Sequence, residues 1–333
     1  MANDQFLPLS GFRDNTNVTK ERVATVLRET FLSYGYQYLE TPALERQEIL
    51  LGKMGDEAQK LLYLFEDNGE RKVGLRYDLT VPLSRFVASN LGELTLPYKR
   101  YEIGSVWRAE RPQKGRYRQF TQADIDVIGA NGNGAEKEFL EIIGVVATKL
   151  ELDLTVLLND RRIVKELLVE LKIEDDQQTK LLQLLDKQDK ISGEEMEKGL
   201  QDTGLSDVQR GQIKDLFLTE PELKNIEEIV GTEVTANLKE LIAFAKSIKL
   251  NVKFAPNMVR GLDYYTGTII EAVVPDGAGS VIGGGAYDSL IENLTGKKVN
   301  GIGISFGVDR IADYIIEIEN FDKPMPLFIL NLP

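Results

Sequence analysis

The residues best suited to chemistry lie between Arg108 and Val127. From Arg118 onward, alternation puts Arg118, Phe120, Gln122, Asp124 and Asp126 on one face of a strand. Gln119, Thr121, Ala123, Ile125 and Val127 fall on the other, mostly apolar face, which suits a core. The loop leading into this strand, Arg108–Arg118, holds five basic residues and one acid in a chain that is otherwise acidic. Guanidinium forks match phosphate oxygens, so a cluster of this kind on a hairpin tip points to a phosphate-bearing ligand. A second stretch, Arg76, Asp78 and Thr80, also alternates, with Val73, Leu75 and Tyr77 opposite it. Two polar strand faces with paired charges suggest the floor of a binding cleft.

Further along, Gly301-Ile302-Gly303-Ile304-Ser305-Phe306-Gly307 alternates bare and bulky positions, and a nearly bare face lets a flat ligand lie against the backbone. Arg310 falls in the first turn of a helix expected over Val308–Ile316, where an anion would also meet free amides. Gly283-Gly284-Gly285 and Arg260-Gly261-Leu262-Asp263-Tyr264-Tyr265-Thr266-Gly267 supply further polar and glycine-rich walls. None of these spacings fits the dinucleotide fingerprint or the phosphate-loop lysine motif.

The elements that must position these residues can be read from periodicity. Residues 19–34 are helical in spacing, with Thr19 as the expected cap and Gly35 as the stop. Tyr36–Glu40 alternates like a strand. Leu61–Glu66 and Arg71–Thr80 flank Asp67-Asn68-Gly69-Glu70, a hairpin signal. A second antiparallel pair is expected over Tyr98–Trp107 and Arg118–Ile128, followed by a helix over 135–150. Residues 162–250 change character, with three or four helical segments and no Tyr or Trp. Across 161–250 there are 14 basic and 19 acidic side chains, a local charge of −5. This reads as a helical insertion within a β-rich domain, with strand and glycine signals resuming at Lys253.

Composition limits the chemistry. The 333 residues include no cysteine and no histidine, which excludes thiolate catalysis, imidazole acid–base catalysis and metal sites built on sulfur or imidazole. A net charge of −13 argues against broad attraction to nucleic acid or anionic membranes, while leaving room for a local basic site. No apolar run approaches the ~20 residues of a membrane span, and the N-terminus lacks the pattern of a secretory signal. The expectation is a soluble, cytoplasmic protein.

Four segments carry a resemblance: RGLDYYTG (260–267), ERPQKGRYRQFTQ (110–122), LRYDLTVP (75–82) and GISFGVDR (303–310). Together they resemble the signature segments of histidyl-tRNA synthetases, in order from about residue 6 to 318. That resemblance implies the class II aminoacyl-tRNA synthetase fold, α+β, with a mixed, mostly antiparallel sheet flanked by helices and a helical insertion domain. It implies ATP-dependent activation of histidine to histidyl-adenylate and transfer to its tRNA, with Mg²⁺ carried on ATP and no certain metal ligand of the protein's own. Arg108 is similar to the arginine gripping the ATP α-phosphate, Glu110 to the residue reading the adenine amino group, and Phe120 to the ring stacked on adenine. Arg116 would lie near the β- and γ-phosphates and Arg310 on the γ-phosphate; Arg260 would face the α-phosphate from across. Asp78, Thr80 and Gln122 would hold the ammonium and orient the carboxylate of histidine. Asp126 and Tyr264 would recognise the imidazole, with Tyr265 beside them. The first 45 residues, with Pro42, resemble the segment that forms a homodimer.

The resemblance has departures. Ala286 stands where the family usually has Arg, and Thr121 and Asp160 stand where many members have His. The implied division is 1–161 and 251–322 for the catalytic domain, 162–250 for the insertion, and 323–333 for the start of a shortened C-terminal domain or tail. Without an anticodon-binding domain, tRNA binding is expected to be weak and salt-sensitive. The alternative reading is a histidine-binding regulatory paralogue of the ATP phosphoribosyltransferase type, which has no need of the phosphate-gripping arginines.

Overall fold

The computed structural model describes residues 8–14, 17–52, 59, 61–113, 115–188, 191–219, 221–259, 265–275 and 279–319. Helix α1 (Val18–Ser33) is capped by Asn17, whose side chain accepts the Thr19 amide at 2.8 Å, so the cap is Asn17 rather than the expected Thr19. Strand β1 shrinks to Gln37–Tyr38, followed by β2 (Leu44–Arg46) and the short helix α2 (Gln47–Leu51). The expected hairpin forms as β3 (Leu64–Glu66) and β4 (Lys72–Leu75), with β2 on the other side of β4. Strand β4 stops at Leu75, and Thr80–Asn90 is a helix, α3, not the continuation of a strand. Its start is fixed by Asp78, which accepts the Val81 amide at 3.0 Å.

The long hairpin β5 (Tyr98–Trp107) and β6 (Gln119–Ile128) pairs without a break from Tyr98↔Ile128 to Trp107↔Gln119. Helix α4 (Gly134–Leu150) and strand β7 (Thr155–Asp160) follow. Between β7 and its parallel neighbour β8 (Val252–Phe254) run six helices: α5 (Arg161–Glu170), α6 (Asp175–Leu185), α7 (Gly193–Asp202), α8 (Asp207–Ile213), α9 (Leu223–Val230) and α10 (Thr232–Ser247). The spacing of Leu223, Ile226 and Val230, and of Leu238, Leu241 and Ala245, marks the last two, which raise the expected three or four to six. The chain returns to the sheet as β9 (Thr268–Val273), β10 (Ser280–Ala286), helix α11 (Asp288–Thr295), β11 (Gly301–Gly307) and helix α12 (Val308–Glu319).

The main sheet has the order β1-β5-β6-β11-β10-β9-β7-β8, antiparallel except for the outer pairs β1/β5 and β7/β8. Its apolar face carries Ala123, Ile125 and Val127 against Leu27 and Phe31 of α1, Phe139 and Ile143 of α4, and Ile311 of α12, all buried. Burial of each large side chain stabilises by about 1.5–3 kcal/mol, which locks the register and turns the polar residues of β6 to the opposite face. The same buried cluster continues into α5 through Ile163 and Leu167 and into α10 through Leu238 and Leu241. Among the described residues no helix is long and apolar enough to cross a membrane.

Candidate active site

The polar face of β6 opens on a cleft of about 690 Å³. Register places Gln122 opposite Gly307, Asp124 opposite Ser305 and Asp126 opposite Gly303. The side chains of β6 therefore project over a strand with almost none of its own on this face. Gly303 is required there: a Cβ would lie 2.1 Å from Asp126 Oδ1 and 3.0 Å from the Ile125 carbonyl oxygen. The bare face expected of β11 is thus room for the carboxylates next door.

One end of the cleft is cationic. Arg108, at the end of β5, donates through Nε to the Tyr77 carbonyl at 3.1 Å, and its guanidinium stands 5.1 Å from the Phe120 ring centroid. Arg116 comes from the hairpin loop and lies 3.9 Å from the Glu110 carboxylate. Arg310 enters from the first turn of α12 and donates to the Ser280 carbonyl. Burial and the nearby Arg116 and Arg108 charges together lower the Arg310 pKa. Guanidiniums that repel one another in a half-buried wall are the electrostatic complement of a polyanion.

The loop carrying these arginines is strapped down. Gly11 accepts the Arg118 amide at 2.7 Å, and Arg118 reaches the carbonyls of Ser10 and Glu110, both at 3.1 Å. Tyr117 donates to Asp313 and lies under Arg13, burial and the Asp313 carboxylate pushing its phenol up to about 12. Asp309, buried, accepts from Arg13, Lys20 and the Thr121 amide. Arg118 therefore anchors the loop and does not face the cleft.

The other end is rich in carboxyl groups. Asp78, Asp124 and Asp126 line it with Thr80, Gln122, Tyr265 and Tyr287. Asp126 accepts the Tyr287 hydroxyl at 2.5 Å and lies 3.0 Å from the Arg100 guanidinium, which is fully buried beneath the cleft. Arg100 also stands 3.5 Å from Glu102, and Glu102 is bound by Arg76 at 2.7 Å and by the Thr41 amide at 3.0 Å. Arg76, expected in the cleft floor, is thus part of a buried charge chain below it: alternation ceases to report orientation once β4 has ended.

Loss of water pushes Asp78 up to about 6, against the opposing pull of the Val81 amide and Arg108. Burial pushes Asp124 up to about 8, with Arg100 opposing and Asp126 adding repulsion. A carboxyl group whose folded pKa is raised costs stability once it must ionise, so the ligand-free protein should lose stability as pH climbs from near 4 towards 8. Asp124→Asn is expected to melt several °C above wild type at pH 8, since each kcal/mol shifts Tm by about 2–4 °C in a large domain. The gap should narrow steadily as pH falls to 4. A gap independent of pH in calorimetry would show that Asp124 is not the strained group.

Asp78, Thr80, Arg108, Glu110, Arg116, Phe120, Gln122, Asp126, Tyr265 and Arg310 all line this one cleft. Arg260 and Tyr264 lie outside the described residues, as do 323–333. Among the lining residues that carried no expected role are Asp124, Tyr287 and Glu271. The strand pattern did mark Asp124. Tyr287 follows the triple glycine and Ala286, and only its aromatic ring beside so bare a strand hinted at a wall. Asp160, where the family often has His, is fully buried and caps α5 by accepting the Arg162 amide at 2.9 Å, a task suited to a carboxylate.

Comparison with known proteins agrees with this geometry. A family profile described as histidyl-tRNA synthetase matches residues 13–311. The histidine–tRNA ligase of Rhodopirellula baltica is 37% identical over 343 residues, covering 96% of this chain and 77% of that protein. That of Aeropyrum pernix is also 37% identical, over 96% of this chain and 76% of its own length. This chain thus spans about three quarters of the length of these relatives. The crystal structure of histidyl-tRNA synthetase from Nostoc sp. PCC 7120 superposes with a TM-score of 0.81 at 26% identity, covering 94% of this chain and 76% of that one. A Bacillus halodurans structure titled as an ATP phosphoribosyltransferase regulatory subunit/histidyl-tRNA synthetase gives a TM-score of 0.80 at 22% identity, over 93% of this chain and 83% of that one, a likeness of fold alone. The sheet is that of a class II aminoacyl-tRNA synthetase, and the chain belongs to the histidyl-tRNA synthetase family.

Proposed function

We propose that the chain is a histidine–tRNA ligase, which joins histidine to ATP as histidyl-adenylate and passes the histidyl group to the 3′ end of its tRNA. The observation that carries this reading is the polarity of the cleft. Three guanidiniums converge at one end and three aspartyl groups at the other, matching a polyphosphate in one direction and an amino acid with cationic groups in the other. A regulatory histidine site has no use for the arginine end.

In this reading Phe120 and Glu110 hold adenine, Arg108 the α-phosphate, and Arg116 and Arg310 the outer phosphates. Asp78, Thr80 and Gln122 hold the ammonium and carboxylate of histidine; Asp126 takes an imidazole N–H, with Tyr264 and Tyr265 completing the pocket. Arg260 adds positive charge across the α-phosphate. The attacking carboxylate is already ionised, so no general base is needed, and a protein without histidine can run the step. Catalysis is positioning plus neutralisation of charge on the phosphorus oxygens. Mg²⁺ would arrive on the ATP phosphates and reduce their charge, and Glu271 is a cleft carboxylate able to take one bond to it.

The domain division at 161 and 250 and a homodimer built through the first 45 residues belong to the same proposal. Exposed Tyr38 and Leu44 on this segment support such an interface. The test of the activity is amino-acid-dependent ATP–pyrophosphate exchange across the twenty amino acids. Exchange with histidine alone is the expected result. Histidine binding without exchange would hand the chain to the regulatory reading.

A further inference from the structure

The two arginines given to the outer phosphates come from different elements, Arg116 from the hairpin loop and Arg310 from the first turn of α12. A triphosphate has a limited span, so the two guanidiniums need a fixed separation. Yet they repel: the charges of Arg116 and Arg108 join burial in lowering the Arg310 pKa. Whatever fastens the loop to the helix therefore sets how well this end of the cleft is preorganised.

That fastening runs through Arg13, which does not itself line the cleft. Its guanidinium stands 3.8 Å from the Tyr117 ring centroid. Nη1 donates to the Tyr117 hydroxyl at 2.8 Å and to Asp313 Oδ1 at 3.1 Å, and Nη2 donates to Asp309 Oδ1 at 2.9 Å. The Tyr117 hydroxyl in turn donates to Asp313 Oδ2 at 2.8 Å. Asp309 and Asp313 are one turn apart on α12, and Tyr117 directly follows Arg116 in the loop. Asp309 also accepts the Thr121 amide at 2.6 Å, between the cleft residues Phe120 and Gln122. One side chain thus joins the loop that carries Arg116 to the helical turn that carries Arg310.

Backbone packing holds Arg13 over the loop. Gly11 has a φ of +85°, and a Cβ there would lie 2.7 Å from Pro112 Cγ and 2.8 Å from Arg118 Cγ. The residues before Arg13 therefore lie directly on the loop, where the Gly11 carbonyl accepts the Arg118 amide at 2.7 Å. A planar guanidinium can rest on a ring and bind two carboxylates at once, which an ammonium cannot do. We propose that Arg13 is a positioning residue for ATP: by tying Tyr117 to Asp309 and Asp313 it fixes the separation of Arg116 and Arg310 at the span of the outer phosphates. The inference rests on the proposed reading of those two arginines.

The experiment compares the full chain with its Arg13→Ala, Asp313→Asn and doubly substituted variants, by ATP–pyrophosphate exchange and by calorimetry with ATP and with AMP. Arg13→Ala should raise the KM for ATP and for pyrophosphate by about 10-fold, the worth of one charge-assisted bond, and leave the histidine KM unchanged. Calorimetry should show the same loss for ATP and none for AMP, which lacks the outer phosphates. Asp313→Asn should weaken ATP in the same direction by less, and the double variant should be no worse than Arg13→Ala, because both changes open one latch. Asp309 keeps Lys20 at 2.9 Å and the Thr121 amide when Arg13 is lost, so the fold should survive. Arg13→Gln replaces the alanine variant if thermal melting shows that the latter is unfolded. Unchanged ATP and pyrophosphate KM values would overturn the proposal. Loss of ATP, AMP and histidine binding in step would assign Arg13 a structural role only and reject it as well. Wild type that shows no histidine-dependent exchange would refute the ligase reading, while the comparison of ATP with AMP would still decide the role of Arg13.

Discussion

Arg108→Ala is expected to slow histidine-dependent adenylate formation by on the order of 10²–10³-fold, the usual loss when one preorganised donor to developing charge is removed. Arg108 is aimed by two fixed features, the bond from its Nε to the Tyr77 carbonyl at 3.1 Å and the Phe120 ring beside it. With Nε so engaged, the terminal nitrogens remain for a phosphate oxygen whose negative charge grows in the transition state. The loss should therefore appear in kcat, with histidine affinity measured by calorimetry nearly unchanged. Arg108→Lys should recover little, since an ammonium cannot bind the Tyr77 carbonyl and present a second, parallel donor at once. A variant with unchanged kcat and weaker histidine binding would move Arg108 to the amino-acid pocket and undo the assignment.

Arg100→Met is expected to destabilise the folded protein by about 3–5 kcal/mol, the cost of stripping the partner from a buried charge. Arg100 is fully buried, with Asp126 at 3.0 Å, Glu102 at 3.5 Å and the Leu79 carbonyl at 2.9 Å. Without it Asp126 and Glu102 stay in the interior with less compensation, and Asp124 loses the charge that opposes its protonation. Denaturant unfolding with a two-state fit gives the comparison. A second variant, Arg100→Met with Asp126→Leu, should be more stable than Arg100→Met alone, because it removes an unpaired acid along with its partner. A wild-type midpoint for Arg100→Met would show that the acids are compensated elsewhere.

Strand β6 was legible because burial on one face forces its period-two pattern, so Ala123, Ile125 and Val127 identified the cleft residues by exclusion. The glycines of β11 were legible for the related reason that a bare face must have something above it. Orientation became unreadable where elements ended. Arg76 and Arg118 each lie one residue beyond a strand terminus, and both turn away from the face that alternation assigned them. The charges of β5 carried no signal of their place. Arg100 and Glu102 alternate as a solvated edge strand would, yet both are buried, because their partners Asp126, Arg76 and Thr41 come from other elements. Pairing of that kind is a tertiary fact with no local signature. Helices α9 and α10 had a clear apolar spacing, and their absence from the expected set reflects reading by composition where periodicity was the better guide.

The pairing of Asp126 with Gly303 and of Asp124 with Ser305 has a consequence for a ribosome making this chain. The strand that completes the cleft emerges more than a hundred and fifty residues after the strand it pairs with, and the whole helical stretch from α5 to α10 emerges between them. That stretch is rich in local contacts and can order quickly, whereas β6 must wait with one hydrogen-bonding edge open and its carboxyl groups uncovered. The nascent chain therefore passes through a period in which half of the sheet exists and no substrate site does. A substrate cannot assist folding during that period, and a chaperone or the ribosome surface is the natural shield for the open edge. The slowest productive step in the birth of this protein should be the closing of β11 onto β6, after which the sheet edge and the substrate cleft are finished in the same event.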